Sequence, residues 1–406
     1  MKSDSRRNTR EDARRQADKL KTSVIRNLRA QGFKVDRKRN LTPKVDSKDL
    51  IRDHHERAVR FLIDRSARLI KRYEPEFIQR FIANGDEVCP DDISPILIEI
   101  DDEYKASLFR WVKLHWSIPT SAGYGRRLRY LVIDEQNGKL IGIIGLGDPV
   151  FAVGDRDRFI GWTRQQRSMR LRNIMEAFVL GAVPPYSQVL GGKLVASLIA
   201  SSEVSTRFRE KYGGKKSLIQ ERSFDGTLAA ITTTSALGRS SVYDRLNIPD
   251  GPSFLHVGWS SGSGEFAFIN GDYQRMKDLV KRSKSCGKNE KWGSGTRSRR
   301  YVLGKALNKL ELPKKLLYHG IKRELFIVPL GSNWREYLCG KTDSFHAYNT
   351  PVSRIAESMI GRWVVPRSQR DGSYINFRCE QYRLAGFNMP SKEGAHAFNQ
   401  SVLEAA

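Results

Sequence analysis

Cysteine is scarce in this sequence, with four residues in 406, at Cys89, Cys286, Cys339 and Cys379. They lie far apart and lack the paired spacing that zinc sites and small disulfide frameworks show. The pattern argues against both classes of protein and predicts no metal site. Sparse, unpaired cysteines are typical of a reducing cytoplasm.

Long apolar runs are also missing. Nowhere do the roughly eighteen consecutive apolar residues of a membrane-spanning helix occur. The first residues, MKSDSRRNTREDARR, have no apolar stretch of the kind that secretory signals carry. We therefore expect a cytoplasmic protein with no membrane partner.

Acidic residues are outnumbered, because 45 Asp and Glu stand against 71 Lys and Arg, a net charge of +26. Two stretches, residues 1–50 and 273–323, supply 22 of these excess charges, whereas the centre is nearly neutral. Basic segments of this kind bind polyanions or stay solvated. DNA or RNA is the expected partner.

The chain is longer than the roughly 250–300 residues at which a single core stops growing, so several regions are expected. We predict an α+β protein with five regions. These are a basic, flexible N-terminal segment (1–46), a helical region (47–112), a central α/β core (113–272), a basic linker or binding segment (273–323) and a C-terminal α/β region (324–406). In the helical region, apolar residues spaced by three and four predict one long helix as far as Tyr73. Pro75 is expected to begin a second helix, which Gly85 ends.

Asn137-Gly138 is the clearest local signal. It separates two β-rich runs and readily adopts the positive φ angles of a tight hairpin. Further along the chain we expect two buried strands, a helix and a second hairpin, at 176–183, 226–235, 235–249 and 251–270. The glycine-rich, charged segment 283–300 predicts an exposed loop.

A loop, VPPYSQVLGGK (residues 183–193), joins the first of these strands to a helix. Glycines permit close approach, and free N–H groups at a helix start can hold a phosphate. The candidates for cofactor binding are Gln188, Gly191, Gly192 and Lys193. The alternative is a simple turn, and the identity of any cofactor stays unknown.

The string QVLGGK resembles the pyrophosphate loop of GCN5-related N-acetyltransferases, which reads Gln or Arg, two residues, Gly, one residue, then Gly or Ala. Lys193 stands where that pattern has a small residue. The resemblance implies that the central core, 113–272, is a GCN5-like mixed sheet that binds acyl-CoA. It also implies that Tyr243 protonates the leaving thiolate, whereas the alternative is a ring packed beside Leu246.

Other candidates carry charge. Asp148 is either a catalytic carboxylate or a turn cap. Two groups of residues could contact nucleic acid. The first is Arg126, Arg127 and Arg129, for which the alternative is a solvated strand entry. The second is Lys281, Arg282, Lys284, Arg297, Arg299 and Arg300, with Trp292 stacking on a base, and the alternative there is a solvated linker. The sequence has no complete P-loop and no His/carboxylate array.

The strings HWSIPTSAGYGRRLRYLVIDEQNGKLIGIIGLGDPVF, VLGAVPPYSQVLGGKLVASL and TTTSALGRSSVYDRL are similar to the DruA family of Druantia anti-phage defence systems. The similarity spans roughly residues 50–370. It implies a bacterial defence protein that acts beside other Druantia proteins, including a helicase-like component. Two functions stay open: a component that binds nucleic acid or partner proteins, and an acyl-CoA- or nucleotide-dependent transferase using residues 188–193. Whether the protein is an enzyme is undecided.

Overall fold

The computed structural model describes residues 2–37, 41–42, 48–120, 123, 125–215, 224–249, 251–262, 268, 271–282 and 296–384. For residues 2–11, 13, 41–42 and 296–297 the backbone alone is described. The predicted α+β class is confirmed.

The strands are β1 (Lys34–Val35), β2 (Leu41–Thr42), β3 (Pro95–Glu99), β4 (Arg127–Asp134), β5 (Lys139–Gly147), β6 (Ile174–Ala182), β7 (Ala230–Thr234), β8 (Leu255–Trp259) and β9 (Glu324–Pro329). The α-helices are α1 (Lys2–Ala30), α2 (Lys48–Arg65), α3 (Ala67–Phe81), α4 (Glu103–Lys113), α5 (Gly154–Ile160), α6 (Arg164–Arg170), α7 (Gly191–Ser197), α8 (Ser202–Tyr212), α9 (Asp272–Lys281), α10 (Thr296–Lys309), α11 (Trp334–Leu338), α12 (Val352–Met359) and α13 (Val365–Arg370). A π-helical turn spans Ile360–Val364, and 3₁₀ turns lie at Gly85–Glu87, Leu171–Asn173, Leu198–Ala200, Lys314–Leu317, Gly372–Asn376 and Cys379–Gln381.

A seven-stranded mixed sheet has the order β3-β4-β5-β6-β7-β9-β8. Its neighbours pair antiparallel except for β6 and β7, which are parallel from Ile174 opposite Ala230 onward. A parallel pair needs a crossover connection, and the chain from β6 through α7 and α8 to β7 provides it. The predicted hairpin is confirmed, because β4 and β5 pair as far as Asp134 opposite Lys139, with Gly138 at φ 70°.

Both faces of the sheet are covered. Met175, Ile231 and Val328 belong to the main core, together with the apolar side chains of α7 and α12. Their chain neighbours point the other way, since successive strand residues alternate, and pack with α5 and α11. Every residue of α7 is buried, as expected for a helix between a sheet and a second layer.

The described residues form two compact units. One comprises those within 1–65, 117–119 and 261–322; the other comprises those within 66–116, 120–260 and 323–406 and contains the seven-stranded sheet. In the first unit α1 packs on α9, where Asn27 Nδ2 donates to Asp272 Oδ2 at 2.8 Å. The domain boundaries predicted from sequence stay predictions.

Two helical predictions changed. The long helix from residue 47 is interrupted at Ser66, and Pro75 lies inside α3 because the apolar side chains Ile70 and Phe77 are buried on either side of it. Residues 2–30, expected to be flexible, form α1, whose buried stripe includes Leu20, Val24 and Leu28.

Two other predictions were wrong in detail. Residues 235–249 form turns rather than a helix, with Gly238 and Arg245 at positive φ. The hairpin predicted at 251–270 stays a prediction: β8 pairs with β9, and most of the predicted return arm lies outside the described residues. Within 283–300, the residues from Thr296 onward begin α10, because an apolar stripe packs in the core: Val302, Leu303, Ala306, Leu307 and Leu310.

Candidate functional site

The predicted phosphate loop, residues 183–193, packs against the β4–β5 hairpin. Tyr186 is fully buried; its hydroxyl donates to Asp134 Oδ2 at 2.8 Å, and Asn137 Nδ2 donates to that hydroxyl at 2.9 Å. Burial and the Asp134 carboxylate raise the pKa of Tyr186, so the phenol keeps its proton. The hairpin turn therefore holds the loop in place.

Five of the loop amides that could meet an anion are used inside the loop. The N–H groups that donate to loop carbonyls, at 2.8–3.2 Å, belong to Ser187, Gln188, Val189, Gly191 and Lys193. A Cβ on Gly191 would lie 2.6 Å from the carbonyl oxygen of Tyr186. This glycine therefore permits close packing within the loop itself. Gly192 is buried in the first turn of α7.

Gln188 is half-buried, and its backbone contacts α13. Its carbonyl accepts a hydrogen bond from Arg367 Nε at 3.3 Å. Its side-chain Oε1 is buried and has no hydrogen-bond partner among the described residues. Gln188 thus lies against a helix that the sequence comparison with acetyltransferases did not anticipate.

Lys193 is bonded to the protein. Its Nζ donates to three carbonyl oxygens, at 2.9, 2.9 and 3.1 Å, of Ser241, Val242 and Asp244. The ammonium also lies 4.4 Å from the ring centroid of Trp363. Burial lowers the pKa of Lys193 to about 8. The side chain joins α7 to the turns at 241–244, which explains a lysine where the acetyltransferase pattern has a small residue.

Tyr243 lies in the apolar core. Its ring stacks on Phe254 with centroids 5.7 Å apart and meets Phe326 edge-on at 5.4 Å. Burial raises its pKa. A general acid must reach its substrate, and this tyrosine is enclosed by rings and core aliphatic side chains, with its hydroxyl beside the Thr233 side chain. Its role as an acid stays a prediction.

Arg126 and Asp148, two separate candidates, form one ion pair. Arg126 Nε donates to Asp148 Oδ1 at 2.7 Å, and Nη1 donates to the carbonyl of Arg172 at 2.7 Å. The guanidinium carbon lies between 5.1 and 5.7 Å from three ring centroids, those of Phe208, Tyr212 and Phe224. This arrangement connects the start of β4 to the chain after β5 and gives both charges a structural partner.

Arg127 and Arg129 lie on the same side of β4, as alternate residues do. Arg127 is exposed and donates to the carbonyl of Gly123 at 3.0 Å. Arg129 lies 5.8 Å from the ring of Phe109, and burial followed by the charge of Arg127 lowers its pKa. Burial and these two arginines lower the pKa of nearby Lys113 to about 8.

Glu176 is a candidate that the sequence reading missed. It lies on β6 with its carboxylate accepting from the Val150 amide at 3.3 Å, and burial raises its pKa. A carboxyl group in such surroundings can exchange a proton closer to neutral pH. The signal was present in the sequence, because Glu176 is the only charged residue of an otherwise apolar strand.

Four of the predicted nucleic-acid contacts near residues 281–300 have described side chains, and all four are exposed. Lys281 and Arg282 are exposed at the end of α9. Arg299 and Arg300 are exposed on α10, where Arg297 is described as backbone only. Lys284 and Trp292 lie outside the described residues.

Helix α10 presents a cationic surface opposite its buried stripe. Between residues 296 and 322 the sequence has eight Lys and Arg and one acid, Glu311. We call the exposed cations of α10 and of the 3₁₀ turn Lys314–Leu317 the cationic α10 face: Arg299, Arg300, Lys305, Lys309, Lys314 and Lys315. The sequence located the charge here but not the helix that orders it.

A groove of about 560 Å³ opens on this face. We call it the α10 groove; it is lined by Arg300, Tyr301, Gly304, Lys305, Asn308, Lys314, Leu317 and Tyr318. A second groove of about 490 Å³ runs beside α1 and includes four cations: Lys21, Arg26, Arg29 and Arg37. Both lie in the unit without the seven-stranded sheet.

Comparison with known proteins decides the family. The model of the family described as Druantia protein DruA matches residues 45–340. Druantia protein DruA from Escherichia coli (strain UMEA 4076-1) is 40% identical over 368 residues, which cover 88% of this chain and 89% of that protein. The chain belongs to the DruA family. The family match includes the sheet, the loop at 183–193 and helix α10.

No solved structure is significantly similar to this DruA-family chain. In the described part of the chain, no helix is long and apolar enough to cross a membrane. The same ranges contain no group of three or more His, Cys, Asp or Glu placed to hold a metal ion.

Proposed function

We propose that this DruA-family protein is the component of a Druantia anti-phage defence system that binds DNA or RNA through the cationic α10 face. The E. coli relative, named Druantia protein DruA, supports the system. Exposed cations on one ordered helix support the ligand. Other Druantia proteins, a helicase-like component among them, are the proposed protein partners.

The cationic α10 face is the observation that carries the ligand class. Glu311, the acid of segment 296–322, lies 3.5 Å from Lys21 Nζ, and the six exposed cations of the face outnumber it. Lys and Arg that contact phosphates release condensed counterions, and this gives affinity without sequence selectivity. Such binding suits a protein that must meet unrelated phage sequences.

The seven-stranded sheet is proposed to have the GCN5-like arrangement. In support, its one parallel pair joins the strand before the glycine loop to the strand after α7 and α8. The acyl-CoA- or nucleotide-dependent transferase stays a prediction, and the geometry favours it little. Loop amides bond to loop carbonyls, and Lys193 bonds to three carbonyls elsewhere.

Fluorescence anisotropy of a labelled oligonucleotide, titrated at several salt concentrations, tests the proposal. Reversing Arg299, Lys305 and Lys314 to Glu should weaken binding and lower the slope of log affinity against log salt by about two to three, because each lost phosphate contact removes roughly 0.7–0.9 from it. The matched control reverses three exposed cations of the other unit: Arg164, Lys341 and Arg383. Equal losses in both triple variants, or no binding by the parent, would refute the proposal.

A further inference from the structure

The α10 groove combines cations with exposed aromatic rings. Gly304 and Lys305 follow Tyr301 by three and four residues, and Asn308 follows Gly304 by four, so these residues share one side of α10. The facing wall comes from the 3₁₀ turn Lys314–Leu317 and the tyrosine that follows it. Gly304 has no side chain, so the floor of the groove stays open between these walls.

Both tyrosines expose much of their surface, 43% for Tyr301 and 47% for Tyr318. Each ring has a cation nearby: Lys305 Nζ is 5.4 Å from the Tyr301 centroid, and the Arg300 guanidinium carbon is 5.1 Å from that of Tyr318. An aromatic face beside a cation can accept a flat ring while the cation meets a neighbouring negative charge. Nucleotides combine those two groups.

We propose that the α10 groove binds single-stranded nucleic acid, with bases stacked on Tyr301 and Tyr318 and phosphates held by Arg300, Lys305 and Lys314. This inference rests on the proposed function and adds the class of nucleic acid. The groove volume falls within the roughly 300–1,000 Å³ of pockets that hold small ligands, which suits nucleotides rather than a double helix.

Single strands and duplexes differ in whether their base faces are accessible to the tyrosines. In a duplex the base faces are covered by their neighbours, so the cationic α10 face can contact phosphates alone. In a single strand the bases can turn outward and stack on aromatic side chains, a contact that tolerates any sequence. DNA and RNA share this chemistry, so both single strands are expected to bind.

The test compares four labelled ligands by anisotropy: oligo(dT), oligo(U), and blunt DNA and RNA duplexes of equal length. Changing Tyr301 and Tyr318 together to Ala should weaken single-strand binding by about tenfold for each ring lost. Duplex affinity should change less than about twofold, because every phosphate-binding cation remains. Changing both tyrosines to Phe instead keeps the rings, so that variant should bind single strands about as tightly as the parent does.

Phe151→Ala is the matched control. Phe151 is 53% exposed, and the Arg167 guanidinium carbon lies 4.9 Å from its centroid, but it belongs to the other unit. Its loss should leave all four affinities unchanged. As a second variant, Gly304→Leu should obstruct the groove without altering charge, and a Cβ there has room, 3.9 Å from Lys314 Cε.

The outcomes separate this inference from the proposed function. A parent that binds no nucleic acid refutes both. A parent that binds with the expected salt dependence, but whose affinity for single strands is unaffected by the Ala pair and by Gly304→Leu, refutes only the stacking site. Equal losses of affinity for single strands and duplexes in the Ala pair would also overturn it. The tyrosines would then act by maintaining the structure of the phosphate-binding face rather than by stacking on bases.

Discussion

Two regions of this protein place a lysine, a glycine and an aromatic ring close together, yet they differ in what the lysine can still do. Lys193 is 6% exposed and lies 4.4 Å from Trp363 with three carbonyl acceptors. Lys305 lies 5.4 Å from a ring that is itself 43% exposed. The comparison teaches that a cation beside a ring and a glycine indicates a ligand site only where solvent still reaches it.

Exchanging the lysines for methionine should show the largest contrast. Lys193→Met leaves three carbonyls without their donor, and each unsatisfied buried group costs about 1–3 kcal/mol, so we expect a loss of about 3 kcal/mol in the free energy of unfolding. Lys305→Met, on the surface, should change it by less than about 0.5 kcal/mol. Urea unfolding followed by circular dichroism measures both.

The Lys305→Met variant should instead bind nucleic acid less tightly in low salt. If Lys193→Met proved as stable as the parent, its ammonium would be available for a ligand, and the distinction between the two regions would disappear.

Replacing Gly191 and Gly304 by alanine should change the free energy of unfolding in opposite directions. At Gly191 a Cβ would meet the Tyr186 carbonyl at 2.6 Å, so Gly191→Ala should destabilise by about 2 kcal/mol, within the usual cost of overpacking. At Gly304 a Cβ fits, and replacing a glycine inside a helix by alanine should stabilise by about 1 kcal/mol. Thermal unfolding of the two variants provides the comparison. A stable, defence-deficient Gly191→Ala protein would point back to a ligand at the loop.

Histidines extend the comparison to pH. His115 stacks on Tyr382 at 3.7 Å, and burial lowers its pKa to about 3. The folded protein keeps this ring neutral, whereas the unfolded chain takes up a proton below about pH 6.5. Stability is therefore complete above that pH and falls as the pH drops toward 3.

Between pH 7 and pH 5 this linkage should remove up to about 2 kcal/mol from the free energy of unfolding. His115→Gln should be less stable at pH 7 but should lose less on acidification. If the free energy of unfolding fell equally with pH in the parent and in His115→Gln, His115 would not be the source of the pH dependence. The measurement is urea unfolding at both pH values.

Prediction from sequence succeeded where neighbours along the chain decide the outcome. Asn137-Gly138 makes a hairpin because its backbone preferences suit the turn, and the apolar run at 176–183 contains most of strand β6. Helix α10 was missed although its apolar stripe was readable, because the charges and glycines just before it dominated the interpretation. The helix expected at 235–249 does not form. Its turns instead provide carbonyls to a lysine some fifty positions earlier.

By itself, the sequence determined the family, the α+β class, the hairpin and the positions of the positive charge, since these depend on composition and on short stretches of chain. Tertiary structure alone decided which charges face solvent. Arg126 and Asp148 are 22 residues apart yet form one ion pair, and Lys193 is enclosed by turns from another part of the chain. Tyr318, which follows α10 by nine residues, meets Arg300 because the 3₁₀ turn between them folds back. Burial and partners arise from contacts between distant segments, and a charge is available to a ligand only where those contacts leave it exposed.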